Sequence, residues 1–433
     1  MTRLPIIVAI CLTCVVTGGC GKRPTWKIMP GASPSAIQAA LDSNPYYPYF
    51  WDTHRDQIPD IAPPVHLRPC CVFGMDVRSR VGPLPVPMYR VANITSPELL
   101  GPHVYDSGFL GRGSDQEIKS MERNGLIYTC RAGYVDTAHV RDYADWTVYL
   151  SSWVMRHLGD RAQQQFLPEL GPRTVKLKKV DVSGLDPAQQ KILAVSIGQY
   201  LAYQISVWHE IAQWHGYSVI KLFPELASAH SIEDLYSNVL GTKVAAAIIY
   251  SGAAGTDLKY ARTMDVWLEK TIESLAPLSR QEGRLITQAL DQHWWDSHAR
   301  VPDKWLVLAR NYHTGRRQQP PRVERGQSEA TDHLLEEFCS EDFEPLVMAV
   351  DDEVLGYRIP DIANLEIRID DQSAPHFSFP TPRHAASRII TERDFQAIVN
   401  LNRGRDQLEL KELGWRPNAQ GPGASKLEPP PEP

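Results

Sequence analysis

The stretch ISVWHEIAQWHGYS brings His209, Glu210 and His215 close together in the chain. An imidazole can hold a divalent metal ion, and a carboxylate beside it can take a proton from a metal-bound water. One common kind of zinc protease uses two histidines four residues apart on a helix, where their side chains lie about 40° apart. His209 and His215 are six residues apart. At about 100° per residue they face different sides of a helix, so they do not share an ion. A metal on His209 must take its other ligands from elsewhere in the chain.

Two further segments concentrate side chains of the right types. GYVDTAHVRDYADW carries Asp136, His139, Arg141, Asp142 and Asp145, and IEDLYSN carries Glu233, Asp234 and Asn238. Antiparallel helices with short connections place the end of one near the start of the next. His209 should then approach Glu233. The expected centre has His139, His209 and Glu233 as ligands of Zn2+, with a fourth place for water. Glu210 serves as general base, and Asp136, Arg141 and Asp234 stand behind the ligands.

The same residues fit a structural network. In that reading His209 bonds a backbone carbonyl, Glu233 and Asp234 favour a helix N-terminus, Asp142 is an N-cap, and Arg141 forms a buried bridge. A third reading places thiol chemistry on Cys130 with His139 and Asp136. Cys130 sits in a strand-like run, not at a helix start where a thiolate is stabilised. His293 and His298 flank Trp294 and Trp295, a pattern of packing. Neither a Gly-rich phosphate loop nor a Gly-x-Ser-x-Gly elbow occurs.

These residues must be positioned by helices. Apolar spacing predicts a helix over 142–159, with His139 just before it. The next runs from Asp186 as N-cap and Pro187 at its first position to Gly216, with Leu201 and Ile205 on its buried face. Further helices are predicted over 231–252, 256–275 and 279–298. Ser231 and Asp234 approximate a capping box in the first, and Ser279 and Glu282 form one in the last. CCVFGMDV and GLIYTCRAGYVD read as strands and loops. Beyond residue 340, PLVMAVDDEVLGYRIP and LEIRIDDQ alternate as strands do, before a last helix or a helix and a short strand over 390–410. The class is α+β: a mostly helical central domain with a small β part.

The chain has 433 residues, 43% of them hydrophobic, and a formal net charge of -6, which argues against a nucleic-acid partner. Arg3 precedes the apolar run LPIIVAICLTCVV and then TGGC. This is the layout of a secretory signal, too short for a spanning helix. Thr17-Gly18-Gly19-Cys20 resembles a bacterial lipobox, which implies cleavage before Cys20 and acylation there. Gly21 after the cysteine favours the outer membrane, facing the periplasm, over the inner one. The expected organisation is a signal peptide over 1–19, a lipid-anchored tether over 20–65, one α+β domain over 66–415 and a disordered tail over 416–433. The membrane is then a partner through the lipid. Cys70, Cys71, Cys130 and Cys339 remain in the mature chain. Either one of the adjacent pair bonds Cys130 or Cys339, or all four are reduced.

The segments RPCCVFG, GYVDTAHVRDYADWT, WHEIAQWHG and IEDLYSNVLG together resemble an exported bacterial family catalogued as domain of unknown function 4056. The resemblance spans about residues 60–400. It implies a location in the bacterial envelope and carries no activity or catalytic residue over to this chain. Two functions follow from the sequence: a metal-dependent hydrolase acting on an envelope substrate, or a non-catalytic lipoprotein that binds or scaffolds an envelope partner.

Overall fold

The computed structural model describes residues 31–48, 61–68, 71–81, 84–91, 93–107, 122–219, 225–339 and 343–414. The signal segment, Cys20, Cys70 and the tail over 416–433 lie outside them. The fold is α+β, as the sequence periodicities predict.

Three helices form the centre: α2 (Thr137–His157), α3 (Pro187–Trp214) and α4 (Asp234–Tyr250). α1 (Pro34–Leu41) packs Ile37 and Leu41 onto them, so a stretch read as tether contains a helix with a buried face. α2 is buried from Thr137 through Val154 and packs against both α3 and α4. Two glycines permit that approach. A Cβ on Gly198 of α3 would lie 2.3 Å from Ser151 Oγ, and one on Gly241 of α4 would lie 2.2 Å from the Val140 carbonyl oxygen. Any larger residue would push the helices apart.

α3 begins as predicted. Asp186 caps it and Gln189 completes the box, with Pro187 first. Leu201 and Ile205 are buried, each contributing about 1.5–3 kcal/mol of apolar burial. α2 begins five residues before the predicted start at 142, because Asp136 and not Asp142 is its N-cap. His139 therefore sits in the first turn of a helix, not ahead of it. α4 begins at Asp234 with Glu233 as N-cap, and Ser231 does not cap it through its side chain.

Before α2 comes a hairpin of β3 (Leu126–Thr129) and β4 (Gly133–Asp136), following the hairpin of β1 (Val77–Val81) and β2 (Leu84–Val91). Strands β5 (Ala162–Phe166), β6 (Arg173–Leu177), β7 (Ala363–Arg368) and β8 (Ile389–Thr391) form one antiparallel sheet in the order β8-β7-β6-β5. Inward-facing Val175 pairs with Leu365. Among the described residues the other helices of ten residues or more are α5 (Asp257–Ser274), α6 (Arg280–Ala289), α7 (Glu329–Phe338) and α8 (Phe395–Glu412). α6 has the Ser279/Glu282 box but stops at Ala289, short of the predicted 298. Trp294 and Trp295 beyond it are buried in a second apolar cluster, the packing role their spacing indicated. Cys130 bonds Cys339 across 209 residues. The expected partners Cys70 or Cys71 are thus replaced, and the thiol reading of Cys130 is overturned because its sulfur is taken. Among the described residues no helix is long and apolar enough to cross a membrane.

Candidate metal centre

The starts of α2 and α4 and the end of α3 meet. Strand β4 delivers Asp136, held by its pairing with Leu126 and by its backbone N–H, which donates to Ser237 Oγ at 2.9 Å. Its Oδ1 caps α2 by accepting from Ala138 N at 2.7 Å. Its Oδ2 lies 3.1 Å from His139 Nδ1. Asp234 Oδ1 lies 3.4 Å from the same nitrogen. On the other side of the ring, Nε2 faces Glu210 Oε1 at 3.9 Å. The imidazole stacks on Tyr143 one turn along α2, with the planes 15° apart. Asp136, His139 and Asp234 each offer one ligand atom, all within 4.8 Å of one another, and this buried group could hold a metal ion.

Its surroundings are acidic. Asp136, Glu210, Glu233 and Asp234 are all at most 2% exposed. Among the described residues no lysine or arginine reaches ion-pair distance of Asp136, Glu210 or Glu233. Glu210 Oε2 accepts from the His230 backbone N–H at 2.7 Å, and its Oε1 accepts no hydrogen bond. Glu233 Oε2 accepts from Ser231 Oγ at 2.6 Å, and its Oε1 likewise has none. Burial pushes the Glu233 carboxyl up to about 8, against the Ser231 hydrogen bond and with the Asp136 charge behind it. Burial also raises Glu210, against the pull of His139 and then His209. Asn238, one turn after Asp234, is fully buried, and neither of its amide atoms has a hydrogen-bond partner.

The structure divides the residues singled out from sequence. His139, Asp136, Asp234 and Glu210 converge, with Glu233 in the next position of the chain. His209 turns instead to Glu169, with 3.4 Å between Nδ1 and Oε1, and meets Tyr217 edge-on. Glu169 also takes Arg173 at 2.7 Å. Burial works against its charge, but Arg173 and then His209 hold its carboxyl below the usual range. Arg141 lies in a separate network. It donates to Glu122 Oε1 at 3.0 Å and to the Gly101 carbonyl at 2.6 Å, alongside Arg68, Asp142 and Asp145. Asp142 sits inside α2 and accepts from Arg68 at 2.7 Å. His215 faces away, against Phe377 with ring centroids 4.5 Å apart.

Sequence reasoning missed Glu169 and Arg68. Both come from loops distant in the chain and carry no local signal. Asn238 stood in the IEDLYSN segment, but only its buried, unpaired amide marks it.

The geometry belongs to a family. "Protein of unknown function (DUF4056)" matches residues 58–324, more than half of the chain. The chain belongs to that family. The match includes β3, β4 and all of α2, α3 and α4, hence every residue of the centre, and ends before the last strands of the sheet. No curated protein and no solved structure matches the chain.

Proposed function

We propose that this protein is a metal-dependent hydrolase, anchored by lipid to the bacterial envelope, with its ion held against His139. One observation carries the reading. Three buried carboxyl groups, of Asp136, Asp234 and Glu210, face a single imidazole at 3.1, 3.4 and 3.9 Å, and Glu210 and the nearby Glu233 each keep an oxygen without a hydrogen bond. Buried charge is stable when paired or when it coordinates a cation. The separations of 3.1 and 3.4 Å around Nδ1 also suit zinc, whose bonds of about 2.0–2.1 Å set tetrahedral ligand atoms about 3.3 Å apart. Three protein ligands leave one place for a water. Glu210, outside that group on the Nε2 side of the imidazole and with an oxygen to spare, would be the general base.

Metal analysis of the purified protein tests the centre. His139→Ala should lose the ion. Glu210→Gln should keep ion and fold but lose turnover, because an amide cannot accept that proton. Wild-type protein that binds no divalent ion would sink the hydrolase. The burial of the whole centre favours the second reading, a lipoprotein that scaffolds or binds an envelope partner, and that outcome would leave it standing.

The lipobox-like run before Cys20 supports the anchor, and the Cys130–Cys339 bond supports an oxidising compartment. Detergent partitioning of Cys20→Ala checks it. The variant should leave the membrane fraction or stall unprocessed.

A further inference from the structure

Asn238 is fully buried, yet its Oδ1 and its Nδ2 both lack a hydrogen-bond partner. An interior amide left this way costs about 1–3 kcal/mol for each unsatisfied group. Such a cost persists where the group meets something other than the protein. Its position on α4 says what. Asp234, four residues earlier, touches His139. Gly241, three residues later, lies against the Val140 carbonyl of α2. On a helix these three positions fall within about 60° of one another. Asn238 is therefore on the stripe of α4 that faces the first turn of α2. It stands at the edge of that stripe nearer α3, because Thr242, whose carbonyl accepts from Gln199 of α3, is a further 40° or so round. That first turn of α2 carries His139. Ser237, its neighbour, is occupied by the Asp136 backbone and does not compete for the amide.

We infer that the side-chain amide oxygen of Asn238 is a direct ligand of the divalent cation held by Asp136, His139 and Asp234. The inference rests on the metal reading above. It gives the ion a fourth protein atom, a neutral oxygen, beside two carboxylates and an imidazole, so the water of the hydrolase reading takes a fifth position. Amide oxygens ligate hard divalent cations readily, and imidazole extends the set to zinc and its neighbours.

The test titrates the metal-free full-length protein with Zn2+ and, separately, with Mn2+, following heat and thermal midpoint. Asn238→Ala should bind both ions at least tenfold more weakly than wild type. Asn238→Asp keeps the shape and adds a charge. It should have a lower midpoint without metal, bind at least as tightly as wild type and gain more from metal. Wild-type affinity in Asn238→Ala, or weaker binding in Asn238→Asp, would overturn the assignment. If wild type takes up neither ion, the centre itself is wrong. If wild type binds and Asn238→Ala matches it, only the ligand assignment falls.

Discussion

Helix α2 carries two buried polar networks within its first three turns, and they are built on opposite principles. On one face Arg68 and Arg141 meet Glu122, Asp142 and Asp145, and His103 meets Asp145 at 2.9 Å. Tyr260 donates to Asp145 as well. Cations and carboxylates are nearly matched there. On the other face His139 is set among Asp136, Glu210, Glu233 and Asp234. The first network satisfies itself from within the chain. It ties residue 68, the segment around 103 and 122 and two helices into one body, the work of a structural bridge. The second has more carboxyl groups than the chain supplies cations for nearby, and burial raises those of Glu210 and Glu233. Its excess, and not its burial, separates a candidate binding centre from a buried bridge, since both are sealed from solvent.

The largest expected effect comes from breaking the matched side. Arg68→Met leaves Glu122, Asp142 and Asp145 without their shared cation in the interior. Loss of one partner of a buried ion pair costs about 3–5 kcal/mol. Urea unfolding should show a loss of that size, while the folded fraction keeps wild-type metal affinity. A loss below about 1 kcal/mol, the range of exposed pairs, would mean the network does not hold the fold as described.

The unmatched side should respond to metal. Saturating wild type at about a hundred times the dissociation constant adds about 2.7 kcal/mol of stability. His139→Ala should show no such gain, and Arg68→Met should show it in full on its lower baseline. A gain retained by His139→Ala places the ion elsewhere and dissolves the comparison.

How far the sequence exposed this contrast differs from element to element. α3 was legible from Asp186 and Pro187 to its end, because cap, proline and apolar spacing agree. The expectation of short connections brought His209 toward Glu233, but long connections join α2 to α3 and α3 to α4, and it is His139 that meets Asp234. Partner choice did not follow. Glu169 takes His209 from the turn between β5 and β6, and the polar run AQQQF of β5 gives no apolar alternation to announce a strand. Arg68 reaches Asp142 across 74 residues, and Cys130 finds Cys339 across 209. Such pairings are settled by packing of the whole chain. The start of α2 was misplaced because two aspartates six residues apart could both cap, and only the hairpin register of β4 decides for Asp136.

The smallest effect concerns His215, the residue whose spacing set it apart from His209. Burial lowers its imidazole to about 4, and Arg405 pushes the same way, against the His376 backbone and Asn402. The unfolded chain titrates near 6.5. Between those values the unfolded state binds more protons than the folded one, so stability rises with pH. The contribution of neutral His215 is therefore fully present above about 6.5 and is lost as pH falls toward 4. His230, lowered to about 3 by burial and then Arg310, adds to the same slope. His215→Phe fits the aromatic contacts with Trp214 and Phe377 and cannot take a proton. Its thermal midpoint should fall less than that of wild type between pH 7 and pH 5, by a few degrees at most. Metal affinity should not change, since His215 lies on the far side of α3 from His139. Equal acid slopes in the two proteins would show that His215 is not held neutral by the fold. A loss of metal in this variant would reverse the division of α3 into a face that meets the centre and a face that does not.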